Sequence, residues 1–488
     1  MKRTTLLAVI LGNVLLASCA TNPVTGSSDL VLMSEQQEIA LGQQANQQVL
    51  GQYATYDNLE LQNYVQYVGR KVADHSHRSE LKYQFTVLDS KEVNAFALPG
   101  GFIFITRGLM AYLNSEAELA AVLGHEVGHV TARHAVRQHS ATQLTSLGAA
   151  LGAAFIPGLG QAAGQQLAGV LGTALLRGYG REHELEADRL GAEYLGRTGY
   201  DPKAMLRVIG ALKNQELFEL RAAHAEGREP NVYHGLFSTH PDSDTRLQEV
   251  IASADAVTKV KQPFIGRGEY MERTNGLVFG DSNSQGLVQG RDFYHGQFGI
   301  ALRFPAGWRI QNLPDKVMAR APDGAAIVQL SVARTNPGQG PREVLLQGLS
   351  LQRLGNEQNL KVRGLPAVSG TAVVDTDAGK RPARFTAVQL GRSVYVIAGI
   401  SRDPKGFEQY DPAFRATGES FRALTADEKA LAGNVHRIAT LKATDQTTFA
   451  GLAKQSPLGQ LAEQQIRLIN GLFPRGEIHP GETIKTVQ

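Results

Sequence analysis

The sequence predicts an α+β chain of several domains: a mainly helical domain with a small edge sheet, then a strand-rich α+β domain, then a small βααβ unit. Three observations carry this expectation. The chain has 488 residues, more than one hydrophobic core organises, which implies roughly two to four domains. The patterning is helical through the first half and turns strand-rich beyond residue 290. Between the two lies Ile251 to Gly290, with Gly276, Gly280, Gly286 and the polar run Asp281-Ser282-Asn283-Ser284-Gln285, the composition of a linker.

The chain opens with a leader. Lys2 and Arg3 precede an apolar run from Leu6 to Ala17; about a dozen residues suit a signal-peptide core and are too few to span a bilayer. The run ends in Leu16-Ala17-Ser18-Cys19, similar to the bacterial lipobox, whose cysteine is acylated after cleavage. Residues 1–18 are therefore expected to be a lipoprotein signal peptide and 19–29 a lipid-anchored tether. Ala20 after the cysteine points to the periplasmic face of the outer membrane. Cys19 is the single cysteine, so no intramolecular disulfide is expected. The formal net charge is +3, falling to about +1 without Lys2 and Arg3, and so balanced a composition gives no sign of a nucleic-acid partner.

Residues 30–252 carry the chemistry. Helical patterns at Ser34 to Gln52 and Leu59 to Ser76 begin this domain. Val93 to Thr106 is rich in β-branched and aromatic residues around Pro99-Gly100-Gly101 and reads as a hairpin or paired edge strands. An unfolded segment could add to such an edge as another strand. Ser115 followed by Glu118 is a capping-box pattern, and Leu119, Val122, Leu123, Val127 and Val130 continue an apolar stripe. On that helix stand His125, Glu126 and His129, an H-E-x-x-H motif. Residues four apart lie about 40° apart around a helix axis, so both imidazoles share a face, with a carboxylate beside them. Zn2+ takes two such nitrogen ligands plus a third protein ligand, and the Glu serves as base toward the water that the ion activates.

The third ligand must come from elsewhere. His134, five residues past His129, falls about 140° around a continuous helix and is not expected to reach the ion; the spacing also departs from the metzincin pattern. Downstream, Arg181-Glu182-His183-Glu184-Leu185-Glu186-Ala187-Asp188-Arg189 puts Glu184 and Asp188 on one helix face. One carboxylate could ligate and the other orient a ligating His, while the same run also suits a solvated charged face. Between the two motifs, Gln138 to Leu176 holds no charged residue. Pro157-Gly158 divides it into halves shorter than the roughly 20 residues of a membrane span, so two packed helices are expected.

Together, HEVGH and E-L-E-A-D, with Asn94-Ala95-Phe96-Ala97 and Gly100-Gly101 before them and Ser238-Thr239-His240-Pro241 after, resemble the CAAX prenyl protease and HtpX family of zinc metallopeptidases. Within it the chain is most similar to the soluble periplasmic lipoprotein and quality-control type. The resemblance covers roughly residues 30 to 250. It implies a gluzincin-type domain with one Zn2+ bound by His125, His129 and Glu184, with Glu126 as general base and Asp188 supporting a ligand. It further implies that His240 reaches the zinc as a regulatory ligand or stabilises the transition state. Arg246, six residues on, is a candidate oxyanion or structural partner. Unfolded or misassembled envelope proteins are the substrates it implies.

Pro202 to about Phe218 reads as another helix and Ala222 to Tyr233 as a loop beside the cleft. After the linker, set at 253–290, the 291–430 domain shows strand patterns at Phe298 to Phe304, Ala325 to Ala333, Leu360 to Val374 and Pro382 to Ile400. Helices are expected near Arg342 to Leu354 and Pro412 to Ala423. The run from Phe298 to Trp308 is similar to the opening of the PsbP/Mog1-like α+β fold, and Trp308, the only tryptophan, is expected in the core. Residues 431–488 set two short strands, His436 to Thr440 and Glu482 to Thr486, around helices at Phe449 to Lys454 and Ala462 to Leu472. This end resembles a divergent LysM module, which implies peptidoglycan as a partner. Two functions are then open: a zinc-dependent metalloendopeptidase of the cell envelope, or a latent or weakly active chaperone or peptidoglycan-tethered scaffold on the same fold.

Overall fold

The computed structural model describes residues 19–26, 28–31, 33–138, 140, 179–225, 262–282, 284–313, 316–333, 338–349, 351–376 and 379–488. Their contacts group them into two units. One holds the described residues up to Gly51 together with Thr55–Phe279 and His436–Gln488; the other holds Gln52–Ala54 and Gly280–Val435. The protein is an α+β multidomain chain, helical in its N-terminal region and strand-rich beyond.

The first unit starts with a ribbon of β1 (Cys19–Thr21) and β2 (Ser28–Leu30). α1 (Glu35–Gln52) is capped reciprocally: the Gln37 N–H donates to the Ser34 hydroxyl, and the Ser34 N–H donates to the Gln37 side chain at 2.9 Å, satisfying two donors that a helix start leaves open. α2 (Leu59–Ala73), capped by Asn58, buries Leu61, Val65, Val68 and Val72 along one face, each contributing about 1.5–3 kcal/mol. β3 (Gln84–Leu88), β4 (Ala95–Leu98) and β5 (Phe102–Thr106) form a sheet in the order β3-β5-β4. The antiparallel β4–β5 pair is the expected hairpin. Its turn holds Gly100 at φ 77, where a Cβ would also stand 2.9 Å from the Ile39 backbone. Among the described residues β4 is an edge strand of that sheet.

α3 (Arg107–Tyr112) and α4 (Glu116–Thr131) follow. The Glu118 N–H donates to the Ser115 hydroxyl as the capping pattern requires, but the Glu118 carboxylate accepts from the Asn114 N–H at 2.6 Å instead of closing on Ser115. Every residue of α4 is buried, the mark of a central helix. α5 (Arg181–Thr198) and α6 (Ala204–Ala225) pack against it. α6 runs past the expected end at Phe218, because Ala222 and Ala223 are buried in the same face. α4 and α5 meet through small residues. A Cβ on Gly128 would stand 2.9 Å from the Ala187 carbonyl oxygen, and one on Gly191 would stand 3.0 Å from the His125 nitrogen.

The segment expected as a linker is packed over most of its described part. It carries α7 (Arg267–Arg273), and its Gly266 and Ile265 carbonyls accept from the Glu116 and Ala117 N–H groups at the start of α4. Tyr270 is fully buried, its hydroxyl donating to the Met110 carbonyl at 2.7 Å. The glycines that suggested a tether serve turns instead, with Gly276, Gly280 and Gly286 all at positive φ.

In the second unit β6 (Leu287–Gln289), β7 (Asp292–His295), β8 (Ile300–Arg303) and, later in the chain, β16 (Arg422–Ala423) form a four-stranded sheet in the order β16-β8-β7-β6. An antiparallel seven-stranded sheet has β9 (Arg309–Asn312), β10 (Lys316–Arg320), β11 (Ala326–Ala333), β12 (Gly355–Val362), β13 (Leu365–Thr376), β14 (Gly379–Leu390) and β15 (Ser393–Ser401), in the order β12-β13-β14-β15-β11-β10-β9. Two expected strands are each split by a turn. Arg363 and Gly364, both at positive φ, break the first, and Gly391 breaks the second. The expected helix at 342–354 is only a short helical stretch over 341–348 before β12 begins. α8 (Phe407–Glu419) starts ahead of Pro412 and contains it. Phe293, Phe304, Val328, Ile397 and Phe414 fill the core, with Trp308 partly buried against it.

Beyond Val435 the chain returns to the first unit as β17 (Ile438–Lys442), α9 (Phe449–Gln455), α10 (Ala462–Ile469) and β18 (Thr483–Val487), with β17 and β18 antiparallel. This βααβ stretch is integrated into the unit instead of standing alone. Lys485, fully buried, donates through Nζ to the Ala111 and Leu113 carbonyls at 2.7 Å each, and Gly276 and Phe279 donate to the Ile438 and His436 carbonyls. No described helix is long and apolar enough to cross a membrane.

Candidate metal centre

α4 and α5 run past each other along their glycine seam, and the seam sets the site. His125 and His129 project from one face of α4, with Nε2 atoms 3.0 Å apart. Glu184, in the first turns of α5, brings Oε2 to 3.5 Å from His125 Nε2 and Oε1 to 3.6 Å from His129 Nε2. Ligands at about 2.1 Å around a tetrahedral ion lie about 3.4 Å apart, so these edges fit one ion. The donor set fits as well. Two imidazoles and a carboxylate suit Zn2+, and a carboxylate at 0% exposure is stable inside a protein only beside a cation or strong donors. Among the described residues this is the one cluster of His, Cys, Asp and Glu whose ligand atoms all lie within 4.8 Å.

Asp188, one turn along α5, holds Oδ1 2.8 Å from His125 Nδ1. That contact fixes the ring so that Nε2 faces the cluster. Glu126, next to His125, is 1% exposed. Tyr179 lies over the site with its ring stacked on His129, centroids 4.2 Å apart. Burial first, then the Glu126 and Glu184 carboxylates, push its hydroxyl well above the usual tyrosine range.

The sequence did not point to what stands behind His129. α4 ends at Thr131, and Arg133 takes a left-handed φ of 55, so the continuous helix that would have carried His134 away does not exist. Arg133 is held there by Glu38 at 2.9 Å and by the Met33 carbonyl at 3.1 Å. The turn swings His134 back until its Nδ1 is 2.8 Å from His129 Nδ1. His134 Nε2 meets Glu186 Oε2 at 3.0 Å, and Arg137 donates to the same oxygen at 3.0 Å. Burial lowers the His134 pKa, and the His134 hydrogen bond, with Arg137 behind it, holds Glu186 down at about 2. His183 stacks on His134 at 4.3 Å, and burial pushes it down to about 4. No sequence spacing links His134 to Glu186, 52 positions on, and their pairing becomes legible only once the helix is known to break.

His125, His129 and Glu184 thus lie together, Asp188 touches His125, and Glu126 follows His125 on the same helix. His240 and Arg246 lie outside the described residues, as do residues 1–18 and nearly all of the Gln138 to Leu176 segment. Cys19 is placed by its backbone only, in β1.

Residues 60–254 match peptidase family M48. The chain is 32% identical over 241 residues to the beta-barrel assembly-enhancing protease of Escherichia coli, covering 48% of this chain and 47% of that one. It is 31% identical over 218 residues to the mitochondrial metalloendopeptidase OMA1 of Schizosaccharomyces pombe, covering 44% of this chain and 60% of the relative. The chain spans about half the length of the curated beta-barrel assembly-enhancing proteases that it matches. A solved cyanobacterial PsbP from Synechocystis aligns with 30% of this chain and 98% of its own at 10% identity, with a TM-score of 0.22, too low to assign a fold.

Proposed function

We propose that this chain, which carries a peptidase family M48 domain over residues 60–254, is a zinc-dependent metalloendopeptidase of the bacterial cell envelope that hydrolyses misfolded or misassembled proteins. The observation that carries this reading is the convergence of His125, His129 and Glu184 within 4.8 Å, beside Glu126 on the same helix. His125, His129 and Glu184 would hold the ion as a gluzincin-type set, with Asp188 steadying His125. When bound, Zn2+ supplies a Lewis acid that acidifies a water and polarises a peptide carbonyl. Glu126, buried beside the ligands, accepts the proton of the attacking water and hands it to the leaving amine. The open edge of β4 can hold an extended substrate as one more strand. From sequence, His240 would reach the ion as a regulatory ligand or stabilise the transition state, and Arg246 is a candidate oxyanion or structural partner.

The lipobox-like Leu16 to Cys19 supports an acyl anchor at the periplasmic face of the outer membrane. The LysM-like pattern over 431–488 supports a contact with peptidoglycan. A relative named for enhancing β-barrel assembly supports misassembled envelope proteins as the substrate class. The test is zinc content and casein cleavage, measured on the wild type and on Glu126→Gln. The variant keeps stoichiometric zinc and loses cleavage by at least about 10²-fold, because an amide cannot accept the proton. Cleavage near the wild-type rate would refute Glu126 as the base, and wild type without bound zinc would refute the metalloenzyme.

A further inference from the structure

We propose that His134 and Glu186 are positioning residues for the metal site, a hydrogen-bonded pair that fixes which nitrogen His129 presents to the ion. The inference rests on the reading of His129 as a metal ligand and adds what makes it one. The direction of each bond follows from donor counting. A carboxylate only accepts, and Glu186 Oε2 takes its bonds from Arg137 Nη1 and His134 Nε2, each at 3.0 Å. His134 therefore carries its hydrogen on Nε2. A neutral imidazole has one hydrogen, so His134 Nδ1 is an acceptor, and the group 2.8 Å away, His129 Nδ1, must donate to it. With its hydrogen on Nδ1, His129 is left with a lone pair on Nε2, the atom that faces His125 Nε2 and Glu184.

The surroundings hold the pair in place. His134 is at 0% exposure and is stacked on His183, so no water competes for Nδ1. The left-handed turn at Arg133, fixed by Glu38, delivers His134 to this spot. The two ligating histidines are thus supported differently: Asp188 reaches His125 directly, at 2.8 Å, whereas Glu186 acts on His129 through an intervening imidazole. Partners of this kind typically change metal affinity about 10–100-fold when removed.

The experiment measures the Zn2+ dissociation constant of the full chain by chelator competition, alongside the melting temperature of the metal-free protein. His134→Leu removes the acceptor and is expected to weaken zinc binding about 10–100-fold; His134→Gln, whose amide oxygen can accept from His129 Nδ1, restores most of that loss. A purely structural role for His134 would lower the metal-free melting temperature and leave zinc affinity unchanged in the folded fraction, which overturns the proposal. Equal losses for Leu and Gln overturn it as well. If His134→Leu does not fold, Glu186→Ala at the partly exposed end of the pair decides by the same measurement: weaker zinc supports the pair, unchanged zinc overturns it. His129→Ala separates the two levels, since wild-type zinc affinity in that variant would refute the metal site itself.

Discussion

Gly128→Ala acts on the seam that sets the ligand spacing. The added Cβ would stand 2.9 Å from the Ala187 carbonyl oxygen and 3.1 Å from the Ala187 Cα, both backbone atoms that cannot rotate away. Ordinary carbon contacts lie at about 3.5–4.0 Å, so relief requires α4 and α5 to part by roughly 0.5 Å. Overpacking of this sort costs about 1–3 kcal/mol, and alanine's better helix propensity offsets about 1 kcal/mol of it, leaving a net loss of about 0–2 kcal/mol. The effect on the ion is larger in proportion. Glu184 rides on α5, and its 3.5 and 3.6 Å separations from the two imidazoles already lie at the upper side of the roughly 3.4 Å of a tetrahedral site. The expected outcome is a melting temperature lower by up to about 8 °C, at about 2–4 °C per kcal/mol for a domain of this size, with zinc affinity down by at least about tenfold. Chelator competition and thermal unfolding of the metal-free protein read the two quantities separately. Wild-type zinc affinity in a folded variant would show that the seam does not set the ligand spacing.

Burial holds the Lys485 ammonium down at about 7, against 10.5 in the unfolded chain. The unfolded state then binds more protons between those values, so this group makes stability rise from about pH 7 to pH 10.5. Lys485→Met should flatten that rise in melting temperature, and an unchanged pH slope would clear Lys485 of the effect. His240→Ala assayed on an unfolded substrate raises basal activity if His240 fills the fourth position on the ion, and costs on the order of 10²-fold in turnover if it stabilises the oxyanion; no change sinks both roles. If Cys19 carries an acyl anchor, Cys19→Ser releases any processed form into the soluble periplasmic fraction. Retention of a cleaved, unacylated chain in the membrane would refute that assignment.

The candidate metal cluster was legible because a helix converts spacing into direction: four residues return a side chain to the same face, which pairs His125 with His129 on α4 and Glu184 with Asp188 on α5. The residues behind them were not. Arg133 gives no local sign of a left-handed turn, which costs a non-glycine residue about 1–2 kcal/mol, and the ion pair that holds it comes from Glu38, 95 positions earlier. Where a helix ends was thus decided by a partner that no window of sequence contains. The 253–290 stretch failed to read correctly for the same reason. Glycine-rich composition is common to tethers and to turns in packed segments, and the choice was made by hydrogen bonds to α4, remote in the chain. In the strand-rich unit the turn at Arg363-Gly364 was overlooked because arginine is an unusual occupant of the first left-handed position.

Lys485 reaches carbonyls that lie 374 and 372 positions before it, and this gives the protein a timetable. During synthesis α4 and its HEVGH motif emerge long before the strand that satisfies the end of α3. Closure over such a separation is a slow folding event. Until β18 arrives, the Ala111 and Leu113 carbonyls just ahead of α4 lack their donor, a deficit of about 1–3 kcal/mol each. The surroundings of α4 are therefore completed only after β18 has been made. Loss of β18 would undo that completion without touching His125, His129 or Glu184.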